Sequence, residues 1–271
     1  VGGLVGGLSI WGGVTSALEL TRSAQRQQTA NLAETVRAFV RRVEQDVLTI
    51  TEVLSESSQD LENLAVIHVL KPFARNKEYL NDITLVRKNR TNVWVGNWEG
   101  QITAELNIEL SEEDYRYAIR GTPGDGTEGF EDIYLEAIDN RPVVSYTKHF
   151  FDCCGTPAGT LYLDIGLTTL SSALSQDQGK NHRSVFIFDS SGVVIAHPSL
   201  IGEDAYKVFH RLPRITDLND PVASAVHMEI RSKGTNFHDI EVQDQIWLVS
   251  VAQIQDIGDK AWYAVSVVPR R

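Results

Sequence analysis

Cysteine is nearly absent from this 271-residue chain, in which Cys153 and Cys154 are the only two and adjoin each other. Neighbouring cysteines rarely pair in a structural disulfide, so the chain is not a disulfide-stapled scaffold. Basic residues are also scarce, because 25 lysines and arginines face 36 aspartates and glutamates and leave a formal net charge of −11. A chain this acidic is poorly suited to binding nucleic acid or an anionic membrane surface.

The short motifs that mark common enzyme classes are missing as well. Neither the Gly-x-Ser-x-Gly turn of serine hydrolases nor the His-Glu-x-x-His helix of zinc peptidases occurs. The glycine-rich stretch 121–129 lacks the Lys-Ser/Thr pair of a phosphate-binding loop, and we expect a surface loop there. The segment 149–154 contains a histidine, an aspartate and two cysteines, but adjacent cysteines strain to hold one zinc ion. We therefore expect no catalytic centre, metal or other cofactor in this region.

The first 18 residues carry no charge, and the first ionisable side chain is that of Glu19. An apolar run of this length is typical of a membrane-spanning helix. Its Gly-Gly pairs are poor in soluble helices but tolerated in packed membrane helices. A signal peptide or a glycine-rich tag is the alternative, although the basic residues that begin a signal peptide are missing. We predict that residues 1–18 are the end of a transmembrane helix.

The segment from Glu19 to Ile67 contains neither proline nor glycine. Its apolar residues recur mostly at steps of three and four, on one helix face, at Leu32, Val36, Phe39, Val43, Val47, Ile50, Leu54, Leu61 and Leu64. This spacing predicts a stalk and spine helix over 19–68, on the order of 70 Å long, with Pro72 ending it or lying just beyond it. Its apolar stripe exceeds what one module can cover, so we expect a parallel homodimer through this helix.

After Pro72 the apolar spacing changes to two, which predicts strands at 83–86, 93–95, 143–151 and 159–165, with helices at 111–120 and 167–174. A second set of strands, predicted at 185–188, 193–196, 246–252 and 261–268, follows at offsets of 100 to 103 residues. The recurrence favours a structural duplication over two unrelated antiparallel domains. We predict an α+β fold with two modules, 69–180 and 181–271, each an antiparallel sheet with flanking helices.

This order of elements resembles the double Cache sensor domains, which are tandem PAS-like modules, of bacterial chemoreceptors, sensor histidine kinases and nucleotide cyclases. The local pieces that carry the resemblance are VFIFDSSGVVIAHPSLIG at 185–202, AGTLYLDIGLTTL at 158–170 and WYAVSVVP at 262–269. The resemblance covers nearly the whole chain. It implies an inner-membrane receptor whose periplasmic membrane-distal module, 69–180, binds a small molecule, and whose membrane-proximal module passes the signal on. A second membrane segment is expected after the last strand.

The resemblance also implies candidate ligand-binding residues. Family members that bind amino acids carry an Arg-x-Trp-Tyr stretch on a pocket helix, then a tyrosine, then an aspartate. Tyr134 and Asp164 are similar to the last two, and Tyr115 stands where the helix tyrosine is expected. Glu112 and Asp114 occupy the arginine and tryptophan positions. A glutamate repels the carboxylate that an arginine binds, so the usual mode of holding an amino acid is not expected.

Taken together, these residues favour an acidic pocket for a cationic or polyhydroxylated ligand. The predicted set is Trp98, Glu112, Asp114, Tyr115, Asp132, Tyr134, Tyr146 and Asp164. Simpler roles exist for several of them, since acidic residues favour helix N-termini, an aspartate caps a helix, and tyrosines pack in half-buried positions. The alternative function is a periplasmic adhesion or assembly module without a small-molecule ligand.

Overall fold

A computed structural model describes residues 2–56, 64–77, 79–98, 101–118, 128–136, 141–152, 154–175, 184–200, 209, 211–235, 238–254 and 260–270. Helix α1 (Gly2–Glu56) begins the chain, and helix α2 (Leu64–Asn76) follows. On α1, Val36, Val43, Val47, Ile50 and Leu54 of the predicted apolar stripe are at most 1 % exposed, whereas Leu32 and Phe39 are half-buried. Leu61 and the side chain of Leu64 lie outside the described residues. Within the described part of the chain, no helix contains an apolar stretch long enough to cross a membrane.

Pro72 does not end the helical region as predicted, because it lies inside α2, which continues to Asn76. A proline inside a helix removes one backbone hydrogen bond and costs about 3 kcal/mol. Leu70 and Ala74, on either side of it, are completely buried. Burying a leucine-sized side chain contributes about 1.5–3 kcal/mol, so packing in the core offsets much of that cost.

Among the described residues, the first sheet contains seven strands. They are β1 (Leu80–Arg87), β2 (Thr91–Trp98), β3 (Gln101–Glu109), β4 (Gly129–Phe130), β5 (Tyr134–Leu135), β6 (Pro142–Phe151) and β7 (Pro157–Gly166). Their order is β3-β2-β1-β7-β6-β4, with β5 also paired to β6. Helix α3 (Glu112–Ala118) follows β3, and α4 (Leu167–Ser175) follows β7. The sequence reasoning missed β3, an edge strand whose residues alternate between exposed and half-buried.

In the part of the chain that the structure describes, the second sheet contains five strands. They are β8 (Ser184–Asp189), β9 (Val194–Ala196), β10 (Asp239–Val242), β11 (Gln245–Ile254) and β12 (Trp262–Pro269), in the order β10-β11-β12-β8-β9. A 3₁₀ turn (Ile215–Asp217) and helix α5 (Pro221–Lys233) precede β10. The strands β2-β1-β7-β6 of the first sheet and β9-β8-β12-β11 of the second follow the same order. The predicted α+β fold, a long helix followed by antiparallel sheets with helices, is thereby confirmed.

Helix α1 lies against both sheets and joins them in one hydrophobic core. Polar contacts attach the N-terminal half of α1 to the second sheet. Arg22 donates from one nitrogen to both carboxylate oxygens of Asp239, at 3.1 and 2.9 Å. The buried Gln25 donates to the carbonyl oxygen of Leu248 at 3.1 Å. The second sheet has a further apolar core against α5, so both of its faces are apolar. The other face of the first sheet is different.

Candidate functional site

The face of the first sheet that points away from α1 is buried but polar. The strand register places its side chains in rows across β1, β7 and β6: Asp82, Asp164 and Ser145 in one row, and Thr84, Tyr162 and Thr147 in the next. Five polar side chains of this face are between 1 % and 6 % exposed, namely Asp82, Ser145, Thr147, His149 and Thr160. Burying this many polar groups is costly unless they bind partners, and it is typical of a ligand pocket.

Helix α3 lies beside this polar face. The Tyr162 hydroxyl donates to the carbonyl oxygen of Ala118, the last residue of α3, at 2.5 Å. That bond satisfies a carbonyl at the helix end, which has no partner inside the helix. On the neighbouring strand β2, the indole ring of Trp94 covers Gly96. A Cβ atom on Gly96 would overlap the Trp94 ring, so only glycine allows this position. Gly96 pairs with Asp82 across the strands, and the Trp94 ring therefore borders the first polar row.

Asp164 is the centre of the hydrogen-bond network on this face. Its carboxylate accepts one hydrogen bond from the Tyr134 hydroxyl at 2.7 Å and another from the Ser145 hydroxyl. The two hydroxyl oxygens lie 2.9 Å apart. Burial raises the pKa of Asp164, while these two hydrogen bonds lower it and the charge of Glu131 adds to the rise. Tyr134 is 37 % exposed, so the network reaches solvent at its rim.

Asp82 lies deeper than Asp164 and is 3 % exposed. Glu136, the residue after β5, is 9 % exposed, and its carboxylate accepts a 2.8 Å hydrogen bond from the Asn81 side-chain amide. Burial raises the pKa of Asp82 well above its ordinary value, and the negative charges of Asp164 and Glu136 raise it further. The carboxyl group of Asp82 is thus buried in β1 beside Asp164, its cross-strand partner on β7.

The segment between β4 and β5 is joined to β6 by hydrogen bonds. Glu131 donates its backbone N–H to the carbonyl oxygen of Ser145 at 2.9 Å, and its carboxylate accepts a 2.5 Å hydrogen bond from Thr147. Burial raises the pKa of the Tyr134 hydroxyl, and the charge of Asp164 adds to that rise. Tyr134 therefore stays protonated at any physiological pH and acts only as a neutral hydrogen-bond donor or acceptor.

Of the eight residues proposed from the sequence, the structure brings Tyr134 and Asp164 together. Asp132 lies nearby in the chain, but its carboxylate pairs at 2.9 Å with Lys260, just before β12 of the second module. Tyr146 lies on the opposite face of the sheet, where its ring meets that of Phe130 edge-on at 4.9 Å. That position follows from the alternation of β6, in which Ser145 and Thr147 occupy the polar face.

Glu112 and Tyr115 lie in the N-terminal part of α3, away from the polar rows. Glu112 is exposed and pairs with Arg90 at 2.7 Å and with Arg116 at 2.9 Å. The Tyr115 hydroxyl donates to the carbonyl oxygen of Lys88 at 3.1 Å, and the Arg90 guanidinium lies 5.9 Å from the centre of its ring. Both residues therefore fasten α3 to the β1–β2 turn. Asp114 and Trp98 belong to α3 and β2, but their side chains are outside the described part of the structure.

The sequence reasoning missed Asp82, Glu136, Ser145 and Thr147. One signal for Asp82 was present, since it is the one charged residue among the first seven of β1, LNDITLV. A charge at an inward position of a strand is unusual unless it has partners. Glu136 and Ser145 had no comparable signal, because their roles depend on which strands become neighbours. Among the described residues, no group of three or more histidine, cysteine, aspartate or glutamate side chains is arranged to hold a metal ion.

A shallower groove lies on the α1 side of the first sheet, with a volume of about 350 Å³. It is bounded by the last turns of α1, including Thr51 and Ser55, and by residues 148–151 of β6. Its lining includes the exposed Phe151 and the buried Phe150. Lys148 already pairs with Glu128 at 2.6 Å. The polar face therefore offers more directional binding groups than this groove.

Comparisons with known proteins agree with one another. The family model described as a Cache domain, dCache_1, matches residues 20–271. The ligand-binding domain of the Campylobacter jejuni chemoreceptor Tlp3 in complex with L-norvaline is similar with a TM-score of 0.67 at 16 % identity, over 94 % of this chain and 92 % of that chain. No curated protein sequence matched significantly.

Two further solved structures are similar over most of their length. The Pseudomonas aeruginosa PAO1 amino acid chemoreceptor PctC, in complex with GABA, has a TM-score of 0.60 at 15 % identity, over 92 % of this chain and 99 % of that chain. The ligand-binding domain of Mlp24 with asparagine has a TM-score of 0.56 at 17 % identity, over 94 % of this chain and 95 % of that chain. At such low identity these likenesses establish the fold alone.

Proposed function

The chain belongs to the Cache domain family, and from that premise we propose that it is the extracytoplasmic sensing region of a bacterial membrane receptor. The first module, 69–180, is the membrane-distal one and binds a small cationic or polyhydroxylated molecule on its polar face. The second module, 181–271, together with the spine helix, passes the signal to the membrane. Anchoring in the inner membrane, with this region in the periplasm, belongs to the same proposal.

The observation that carries the proposal is the network of Asp164, Tyr134 and Ser145 on a buried polar face. Asp164 accepts hydrogen bonds from both hydroxyls, and a carboxylate has further lone pairs for a ligand donor. An ammonium or hydroxyl group at the rim would bind Asp164, while Tyr134 orients it. Charge-assisted hydrogen bonds of this kind are about twice as strong as neutral ones.

The surrounding charges select against anions. Besides burial, the charge of Glu131 raises the pKa of Asp164, and the charges of Asp164 and Glu136 raise the pKa of Asp82. A ligand carboxylate placed here would meet like charges in a setting of low dielectric, which is unfavourable. L-norvaline, asparagine and GABA, named with the similar structures, all contain an amino group. An amine is therefore the ligand group that fits both the fold's known complexes and these side chains.

A four-carbon series tests the ligand class by calorimetric titration. Putrescine carries two amines, GABA one amine and one carboxylate, butanediol two hydroxyls, and succinate two carboxylates. We expect the amines or the diol to bind and succinate not to bind. Tight binding of succinate alone would contradict the proposal.

A matched pair of variants tests the site. Asp164→Asn removes the charge of the central carboxylate, and we expect at least a tenfold loss of amine affinity, the equivalent of about 1.4 kcal/mol. Asp244→Asn is the control, since Asp244 is exposed in the β10–β11 turn with φ of 61°, a conformation that asparagine tolerates. Unchanged binding by Asp164→Asn would place the ligand elsewhere.

We also propose that the receptor is a homodimer in which α1 packs against α1. Leu48 and Val53 remain 43 % and 36 % exposed on this helix, next to its buried stripe. Exposed apolar residues on a long helix favour pairing with a second copy. Light scattering across a concentration series tests this, with Leu48→Glu as the variant expected to weaken the dimer. A monomer at every concentration would contradict it.

A further inference from the structure

We propose that Lys260 couples the ligand site to the second module, because its single ammonium group is shared between one carboxylate of each module, Asp132 of the first and Asp189 of the second. This rests on the proposed function in one respect, the binding of an amine at Asp164. The shared ammonium group itself is a property of the ligand-free protein and can be tested without any ligand.

The ammonium group of Lys260 lies between the two carboxylates but not midway. Its Nζ is 2.9 Å from Oδ2 of Asp132 and 4.0 Å from Oδ2 of Asp189. The Asp132 side chain is 54 % exposed, whereas that of Asp189 is 3 % exposed. The backbone beside Lys260 is fixed, since the carbonyl oxygen of Ala261 accepts a 2.8 Å hydrogen bond from the N–H of Ser190. Two carboxylates in different modules therefore compete for one cation.

In the first module, Asp132 belongs to the segment that forms the ligand site. The preceding residue, Glu131, is hydrogen-bonded to β6 through its backbone and its carboxylate. Tyr134, which donates to Asp164 at 2.7 Å, comes two residues after Asp132. Two residues of extended chain span at most about 7 Å. A shift of Tyr134 on ligand binding is therefore transmitted to Asp132 and to its contact with Lys260.

In the second module, Asp189 holds the turn between β8 and β9. Its Oδ1 accepts three hydrogen bonds, from the N–H of Ser191 at 2.8 Å, from the Ser191 hydroxyl at 2.7 Å and from the N–H of Val193 at 2.9 Å. Burying a carboxylate is costly unless it is paired, and the ammonium group of Lys260 approaches its other oxygen, Oδ2. A closer approach of this cation stabilises the carboxylate and, with it, the turn.

The β8–β9 turn contacts helix α5. A Cβ atom on Gly192 would lie 2.8 Å from the His227 ring of α5, so the turn and the helix touch. Arg214, which precedes the 3₁₀ turn before α5, donates to the carbonyl oxygen of Ser191 at 3.1 Å. His227 and Arg214 are further basic groups beside the turn, but both belong to the second module. Contiguous contacts thus lead from Lys260 to α5, and an ammonium group with two carboxylates within reach is the two-state element that coupling needs.

A ligand cation changes the balance between the two carboxylates. Its positive charge at Asp164 lowers the attraction of the first module for Lys260. The ammonium group then shifts from Asp132 toward Asp189 and stabilises the β8–β9 turn. The ligand biases this choice only by as much as it favours one position of the ammonium group over the other.

Amide hydrogen exchange in the ligand-free protein, followed residue by residue by NMR, tests the shared cation. Lys260→Met removes the charge, and exchange of the two amides that donate to Asp189 should rise about two- to fivefold, the range expected for the loss of an exposed ion pair. Asp132→Asn leaves the cation to Asp189, so exchange of the same amides should fall. Lys88→Met, at an exposed turn of the first module, is the control and should match wild type.

The opposite signs distinguish a shared cation from an ordinary surface ion pair. If Asp132→Asn raises the exchange of these amides or leaves it unchanged, the inference is wrong. It is equally wrong if Lys260→Met does not raise that exchange.

The second experiment repeats the measurement with putrescine or GABA bound. Binding should slow exchange of the Ser191 and Val193 amides in wild type but not in Lys260→Met, which still binds the amine at Asp164. Binding to wild type without slower exchange at this turn would overturn the inference. If no amine binds, the proposed ligand class fails, whereas the ligand-free comparison of Lys260→Met with Asp132→Asn still decides whether the cation is shared.

Discussion

Replacing Asp82 by asparagine should stabilise the ligand-free protein at neutral and alkaline pH. Asp82 is 3 % exposed, and burial with neighbouring negative charge raises its folded-state pKa well above 3.8. Between 3.8 and that raised pKa, the folded chain binds one proton more than the unfolded chain. The stability from this proton is therefore fully present below the ordinary pKa and is lost as the pH rises through the raised pKa. The amide that replaces the carboxyl group has no such proton to lose.

The size of the effect follows from the same shift. Wild type loses about 1.4 kcal/mol of unfolding free energy for every unit by which the folded pKa exceeds its ordinary value. For domains of roughly 150–250 residues, each kcal/mol shifts the midpoint of thermal unfolding by about 2–4 °C. Asp82→Asn should thus melt about 3–6 °C higher than wild type per unit of that difference.

Thermal unfolding followed by circular dichroism at about pH 4 and about pH 8 measures this. The gain of Asp82→Asn over wild type should be large at the higher pH and should shrink at the lower one. The reasoning is refuted if the variant is destabilised equally at both values, because Asp82 is then a charged carboxylate that needs its partners. Asp244→Asn, at an exposed turn, controls for the loss of one negative charge and should match wild type throughout.

Three further outcomes are expected. Gly96→Ala places a methyl group where the Trp94 ring lies, so the ring must move; amine affinity measured by calorimetry should fall, and an unchanged affinity would separate this ring from the site. Ile50→Ala, at a completely buried position of α1, should cost about 2–5 kcal/mol in denaturant unfolding, whereas Gln45→Ala at an exposed position of the same helix should cost little. Asp132→Asn breaks the surface ion pair with Lys260 between the modules but keeps the approach of Lys260 to Asp189, and it should cost less than about 1 kcal/mol; a larger loss would mean that the modules depend on this pair.

The α+β fold could be predicted because its signals are local. An apolar spacing of about two predicted β6, β7, β8, β11 and β12. An apolar spacing of three and four predicted α1. Pro72 showed the limit of a local rule, since the burial of its neighbours in α2 outweighs the cost of a proline in a helix. Strand β3 was missed although Ile102, Ala104, Leu106 and Ile108 alternate with polar residues, which is the period expected of a half-buried edge strand.

The site was predictable only in part, because its residues meet through strand register. Tyr134 and Asp164 were found by resemblance, whereas Asp82 and Ser145 join Asp164 only through pairing across three strands. A register shift of one residue would turn each side chain to the other face. Tyr146 lies between Ser145 and Thr147 in β6, so it faces the core. Glu112 was proposed for the pocket, but its two arginine partners hold it at the outer end of α3.

The contacts of Arg22 and Gln25 have a mechanical consequence. Gln25 binds the backbone of Leu248, and Leu248 pairs with Val268 near the end of β12. Adjacent strands lie about 4.8 Å apart, so the N-terminal part of α1 and the end of β12 run side by side. Two segments of the chain that are held this close cannot transmit a signal by moving apart. If this region signals to a membrane, the signal is a displacement of one of these two segments along the other.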